Sequence, residues 1–109
     1  MKTLKFKDYL APAVLDGSKT TTWRLFDDKN LQAGDELLLV NAATGKEFAK
    51  AHILYVREKK LGEVGDADFD EGHERYDTEE DILEEYRKYY GDAVNLSSSL
   101  KIIKYELID

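Results

Sequence analysis

Cysteine is absent from this sequence, and proline, methionine and tryptophan occur once each. The absence of cysteine excludes disulfides, thiolate nucleophiles and cysteine metal sites, and it favours a reducing cytoplasm. No apolar run approaches the ~20 residues that a membrane-spanning helix needs. The first ten residues interleave lysines with apolar residues and lack the continuous apolar region of a signal peptide. These absences predict a cytoplasmic protein with no membrane partner.

The residues that are present fit one folded domain. Hydrophobic residues make up 42% of the 109 residues, and seven tyrosines, four phenylalanines and one tryptophan supply large side chains for burial. A chain of this length builds one hydrophobic core and not two. We therefore predict a single domain over residues 1–109.

The acidic residues are concentrated in one segment. Residues 63–85 hold 12 of the 23 acidic side chains and a single basic one, Arg75, whereas the rest of the chain has 15 basic and 11 acidic residues. The net charge of −7 argues against a broad phosphate-binding surface, because such a surface needs positive potential. A local basic surface outside the acidic segment is compatible with this distribution.

Alternating and clustered apolar residues predict five strands, at 3–7, 20–25, 36–42, 47–57 and 100–107. Helical spacing predicts a short helix at 9–17 and a longer one at 78–91. The order of these elements predicts an α+β fold. Its centre is a small barrel-like sheet of mixed or antiparallel strands, with the short helix near the N-terminus and the longer helix before the last strand.

Both predicted helices have residues typical of helix ends. Asp8 is expected to cap the first helix, and Gly17 is expected to end it. Asp77 or Thr78 is expected to cap the second helix, and Gly91 follows its last turn.

The segment 17–25, GSKTTTWRL, combines strand-forming residues with several chemical groups. If it is extended, Thr20, Thr22 and Arg24 share one face, since side chains alternate along a strand. The opposite face, on which Trp23 is the expected core anchor, carries Thr21, Trp23 and Leu25.

Lys19 precedes this strand, and a turn at Gly17 and Ser18 directs its amine over the face of Thr22 and Arg24. An amine, a hydroxyl and a guanidinium in one place can hold an anion or a polar nucleobase. Alternatively, Lys19 acts as a base once burial or a neighbouring cation lowers its pKa, and it activates Thr22 for attack on an acyl group. The simplest interpretation assigns no site: the threonines stabilise a strand, and Lys19 and Arg24 are solvated.

This segment resembles the signature of the ASCH family, which is related to PUA-type RNA-binding domains. The family pattern Gly-x-Lys-x-x-Thr-x-Arg follows a short first helix, and its four positions are filled by Gly17, Lys19, Thr22 and Arg24. The Gly-Asp turn before a strand at 33–40, and the later order of loop, helix and terminal strand, are also similar. The resemblance implies a PUA-like β-barrel with a cleft that accepts RNA or a nucleobase.

One bacterial branch of the ASCH family is a small amidohydrolase that removes the acetyl group from an acetylated cytidine nucleoside. The resemblance implies Lys19 as the base, Thr22 as the nucleophile and Glu74 as the proton donor of such a reaction. No cofactor and no metal are expected. The residues expected to bind the ligand are Gly17, Thr20, Arg24 and Tyr76.

Other features of the sequence are assigned structural roles. Residues 66–77 are similar to a calcium-binding EF-hand loop, but the required glycine is displaced by one position and no helix clearly precedes them. His52 and His73 have no partners at metal-ligand spacing. Tyr86 and Tyr89 lie at helical spacing and are expected in the core.

Three functions are therefore compatible with the sequence. The first is a cleft that binds a nucleoside or a nucleotide of RNA, with amidohydrolase activity on acylated cytidine. The second is a non-catalytic RNA-binding or regulatory module that uses the same cleft. The third is a structural or partner-binding protein that uses its acidic face.

Overall fold

A computed structural model describes residues 1–25, 29–65, 76 and 78–108. Within these residues the strands are β1 (Lys2–Phe6), β2 (Thr21–Leu25), β3 (Glu36–Asn41), β4 (Glu47–Lys60) and β5 (Ser99–Ile108). The α-helices are α1 (Ala11–Asp16) and α2 (Glu79–Tyr90), and 3-10 turns occupy Asp8–Leu10 and Leu61–Glu63. The predicted α+β order is confirmed, including the longer helix before the last strand.

The five strands form one mixed sheet in the order β1-β3-β4-β5-β2. Strands β1 and β3 are parallel, and the other three pairs are antiparallel. The sheet curls until its two edge strands face each other. The guanidinium of Arg24 on β2 donates a hydrogen bond to the carbonyl of Lys5 on β1 at 3.0 Å. This curled sheet is the barrel-like architecture that the sequence predicts.

Helix α1 ends as predicted but begins differently. Gly17 follows its last residue with φ of 84°, a left-handed conformation that glycine adopts without steric cost. Pro12 lies in the first turn, where its missing N–H is not needed. The prediction that Asp8 caps the helix is wrong. Asp8 lies inside the 3-10 turn, and its carboxylate accepts a hydrogen bond from the Asn41 side chain at 2.7 Å.

Helix α2 begins at the predicted cap. The Thr78 hydroxyl accepts a hydrogen bond from the Asp81 N–H at 3.1 Å, which satisfies one of the unpaired donors of the first turn. Gly91 follows the last residue with φ of 85°. Neither α1 nor α2, the α-helices of the described residues, is long and apolar enough to cross a membrane.

Two hydrophobic clusters cover the two faces of β5. Ile102 and Ile103 are adjacent and fully buried, and they belong to different clusters, because neighbouring strand residues point to opposite faces. The Ile103 cluster includes residues of β1, β3, β4 and α1. The Ile102 cluster contains Ile82 and Tyr86 of α2 and the predicted core anchor, Trp23. Helix α2 therefore packs against β2 and β5, beside the gap between the sheet edges.

Candidate functional site

A cavity of about 380 Å³ lies between β1, β2 and α2. Strand β1 and the residue after it contribute Lys5, Phe6 and Lys7, and β2 with the turn before it contributes Lys19, Thr22, Trp23 and Arg24. Helix α2 contributes Glu85, Tyr86, Tyr89 and Tyr90. The position of the cavity follows from the fold, since the two sheet edges face each other and α2 lies beside the gap between them.

The turn after α1 directs Lys19 into this cavity. The Lys19 N–H donates to the Ala13 carbonyl at 3.0 Å, and the Lys19 carbonyl accepts a hydrogen bond from the Tyr105 hydroxyl at 2.8 Å. The Lys19 backbone is therefore tied to both α1 and β5. Lys19 is only 4% exposed, so the interpretation that leaves it solvated is wrong.

Thr22 and Arg24 share one face of β2, as their spacing predicts. The Arg24 Nε donates to the Thr22 Oγ1 at 3.2 Å, and the guanidinium carbon lies 5.1 Å from the centre of the Phe6 ring. Together with the bond to the Lys5 carbonyl, these contacts hold the guanidinium in one orientation. Burial lowers the pKa of Arg24, but the guanidinium stays charged because its ordinary pKa is above about 12.

Aromatic side chains form one wall of the cavity. The rings of Tyr86 and Tyr90 are stacked with an interplanar angle of 13° and a centroid separation of 6.2 Å. The Tyr76 ring lies 6.4 Å from those of both Trp23 and Tyr86. The core position predicted for Tyr86 is confirmed, but the one predicted for Tyr89 is wrong, since Tyr89 is 42% exposed. Helical periodicity assigns this face of α2 to the core, but at the last turn of the helix the face lies at the cavity opening.

The cavity also contains a carboxylate that the sequence interpretation missed. Glu85 accepts a hydrogen bond from the Tyr89 hydroxyl at 2.8 Å, and it lies 3.6 Å from the Lys88 ammonium. The signal that identifies it is helical spacing, because Glu85 is one turn before Tyr89 and shares its face. In the sequence Glu85 does not stand out, because residues 63–85 contain many acids.

The structure brings together four of the predicted site residues, namely Lys19, Thr22, Arg24 and Tyr76. Gly17 and Thr20 are not among the described lining residues. Gly17 shapes the turn, and the Thr20 hydroxyl accepts a hydrogen bond from the Lys104 ammonium at 2.8 Å. The functional roles assigned to these residues remain predictions.

Several predicted features lie outside the described residues. They include Glu74, His73 and all of the EF-hand-like segment except Tyr76. Among residues 1–25, 29–65, 76 and 78–108, no three histidine or acidic side chains are grouped as metal ligands. His52 is partly buried, with its Nε2 3.5 Å from the Glu106 carboxylate.

The three consecutive threonines have three different environments, which leads to a stability prediction. The Thr21 hydroxyl is buried and has no hydrogen-bond partner within the described part of the chain. An unsatisfied buried hydroxyl costs about 1–3 kcal/mol, so Thr21→Val is expected to raise the free energy of unfolding by about 1 kcal/mol, measured by urea denaturation. Thr20→Val, which removes the bond to Lys104, is expected to lower it by about 1 kcal/mol. A lower stability of Thr21→Val contradicts the assignment.

No family model and no curated protein matches the sequence, but several solved structures match the fold. An ASCH domain from Lactobacillus crispatus superposes with a TM-score of 0.72 at 14% identity, over 97% of this chain and 79% of that one. A mutant of an ASCH protein from Zymomonas mobilis gives 0.65 at 14% identity, over 98% and 66%. A protein from Pyrococcus furiosus gives 0.68 at 17% identity, over 99% and 97%. The chain therefore has the ASCH fold, as the resemblance of its sequence predicts.

Proposed function

We propose that the cavity binds a nucleoside, free or as one nucleotide of RNA, and that Lys19 and Thr22 hydrolyse the acetyl amide of acetylated cytidine there. The observation that carries this proposal is that Lys19 and Thr22, each only 4% exposed, line one cavity together with several aromatic rings. The ASCH fold supports the proposal because the sequence resembles the amidohydrolase branch of that family at the same residues.

The size and the composition of the cavity suit a nucleoside. Its volume of about 380 Å³ lies within the range of about 300–1,000 Å³ that small-molecule sites occupy. Its aromatic wall offers faces on which a base can stack. Arg24 and Thr22 add hydrogen-bonding groups in a fixed arrangement, which can orient a polar ligand.

The chemical groups of Thr22 and Lys19 suit acyl transfer. In the proposed reaction the Thr22 oxygen attacks the acetyl carbonyl carbon, and the Lys19 amine takes the hydroxyl proton. The carbon–nitrogen bond then breaks, and the exocyclic nitrogen of cytidine leaves with a proton. Water hydrolyses the acetyl ester on Thr22, which releases acetate and restores the hydroxyl. The Arg24 Nε–H, 3.2 Å from the Thr22 oxygen, stabilises negative charge on that oxygen during attack.

The reaction needs a neutral amine and a proton donor. Burial disfavours the charged form of an amine, and the Lys19 side chain is buried. For the proton donor, the resemblance implies Glu74, which lies outside the described residues. Glu85 is the one carboxylate among the described lining residues, and it is a second candidate for that role.

A second candidate function is RNA binding without catalysis. It is favoured by the lysines at the cavity opening, Lys5 and Lys7, which amide hydrolysis does not require. Both candidates use the same cavity, and both are consistent with the predicted cytoplasmic location.

Turnover and binding assays test the proposal directly. Incubation of the protein with acetylated cytidine is expected to yield cytidine and acetate, and amide-shift titration with cytidine is expected to move signals of residues 5–7, 19–24 and 76–90. Lys19→Met, which removes the amine and keeps most of the side-chain length, is expected to slow turnover by about 10²–10⁴-fold. Lys50→Met, at an exposed lysine outside the cavity, is the matched control.

The outcomes separate the two candidate functions. Cytidine binding without turnover supports the non-catalytic module. Equal turnover by Lys19→Met and the unmodified protein removes Lys19 as the base. The absence of both turnover and cytidine-induced shifts overturns the proposal.

A further inference from the structure

The opening of the cavity carries four exposed residues that the proposed reaction does not use. We call these residues the rim: Lys5, Lys7, Tyr9 and Tyr89. Lys5 and Lys7 alternate with the buried Phe6, so they point away from the core on the same side of the chain. Tyr9 lies in the 3-10 turn before α1 and Tyr89 in the last turn of α2, so the rim surrounds the opening from two sides.

The rim is positively charged although the chain as a whole is acidic. Within the described part of the chain, neither Lys5 nor Lys7 has an acidic partner. Arg24 adds a third cation to the same cavity. Glu85 is the carboxylate among the described lining residues. It already accepts a hydrogen bond from the Tyr89 hydroxyl and lies beside the Lys88 ammonium. This arrangement suits an anionic group such as a phosphate diester.

The two rim tyrosines suit a planar partner beside that anion. The Tyr89 phenol is neutral at physiological pH, since the ordinary pKa of tyrosine is about 10, and it therefore does not repel a phosphate. The Lys7 ammonium lies 4.8 Å from the centre of the Tyr89 ring, which places a cation next to an aromatic face. Tyr9 is 67% exposed, and an exposed aromatic ring can stack on a base.

We propose that the rim binds the nucleotide next to the one in the cavity, with its phosphate at Lys5 and Lys7 and its base on Tyr9, the more exposed of the two rim tyrosines. This inference rests on the proposed function and specifies its substrate class. The preferred ligand is then a single-stranded oligonucleotide and not a free nucleoside, because only a strand contacts both the cavity and the rim.

A comparison of cytidine with the dinucleotide cytidylyl-cytidine tests the inference. The dinucleotide supplies a neighbouring base on either side of the cytidine in the cavity, so the test does not depend on strand direction. Stacking of one base changes affinity by about 5- to 150-fold, so the dinucleotide is expected to bind at least about fivefold more tightly. Cytidine monophosphates, which add the phosphate without a second base, separate the two contributions.

Variants of the rim residues test whether these residues cause the higher affinity for the dinucleotide. Tyr9→Ala is expected to remove most of the dinucleotide's advantage over cytidine, measured as the ratio of the two dissociation constants for the same variant. The double variant Lys5→Gln, Lys7→Gln is expected to reduce both the affinity for the dinucleotide and the dependence of its binding on salt, since the one phosphate loses its cationic partners. The matched control is Lys50→Gln, Lys60→Gln, which makes the same change in net charge at exposed lysines of β4 outside the cavity.

The outcomes separate the rim proposal from the function proposed for the cavity. Equal affinities for cytidine and the dinucleotide overturn the rim proposal and leave the proposed function intact. The rim proposal is also overturned if both rim variants keep the higher affinity for the dinucleotide. It is overturned as well if the β4 control loses as much affinity for the dinucleotide as the rim lysine variant. If the dinucleotide binds and cytidine does not, recognition of a free nucleoside fails, and loss of dinucleotide binding in the rim variants then supports the rim while its survival overturns it. If neither ligand binds, both proposals fail.

Discussion

The Thr22→Val variant is expected to lose measurable deacetylation of acetylated cytidine while it keeps its fold. Valine has nearly the shape of threonine, so the buried position on β2 stays filled. It has no oxygen to attack the acetyl carbon, and no acyl intermediate can form on it. The expected fall in turnover is roughly 10³-fold or more, because the residue that forms the covalent bond is removed.

Turnover kinetics and mass spectrometry check this prediction together. Rapidly quenched reactions of the unmodified protein are expected to contain an acetyl group on Thr22, and those of Thr22→Val none. Thr20→Val is the matched control, because it removes a hydroxyl two residues away that does not line the cavity, and it should retain turnover. Full activity of Thr22→Val means that water attacks the substrate directly, and it removes Thr22 from its assigned role.

Trp23→Ala is expected to lower the free energy of unfolding by about 3–5 kcal/mol, the usual cost of truncating a large buried aromatic residue. Trp23 is 3% exposed and belongs to the cluster that joins α2 to β2 and β5. Its removal leaves a void between the helix and the sheet, next to the Tyr76 ring. Because small domains are stable by only about 5–15 kcal/mol, this loss is a large part of the total.

Urea denaturation followed by circular dichroism measures this loss. Trp23→Phe, which keeps an aromatic ring, is expected to cost less than Trp23→Ala. Leu54→Ala is the control, since Leu54 is 43% exposed and substitutions at exposed positions usually change stability by less than about 0.5 kcal/mol. A cost below about 1 kcal/mol for Trp23→Ala contradicts the anchoring role.

The local part of the site could be predicted from the sequence because it depends on short-range geometry. The alternation of strand side chains places Thr22 and Arg24 together, and their hydrogen bond follows from it. The same alternation places Trp23 in the core on the opposite face. Likewise, Thr78 caps α2 through a contact that spans three residues. Each of these features depends on neighbours in the chain, which sequence patterns record directly.

The rest of the site depends on strand order, which local patterns do not specify. Lys5 and Lys7 reach the cavity because the sheet curls until β1 faces β2. Tyr89 fits a core pattern but lies at the end of the helix that reaches the cavity opening. Asp8 has the chemistry of a helix cap, yet its carboxylate bonds to Asn41, which is 33 residues away. In each case a distant part of the chain determines the environment of the residue.

The position of β2 at the edge of the sheet has a consequence for how the protein is made. Its neighbour in the sheet order is β5, and the bond between Thr20 and Lys104 joins residues 84 apart in the chain. Such long-range pairing forms late, since a large loop must close first. During translation, a nascent chain therefore carries the amine, the hydroxyl and the guanidinium long before it can arrange them. The site can form only after β5 has been synthesised and has paired with β2.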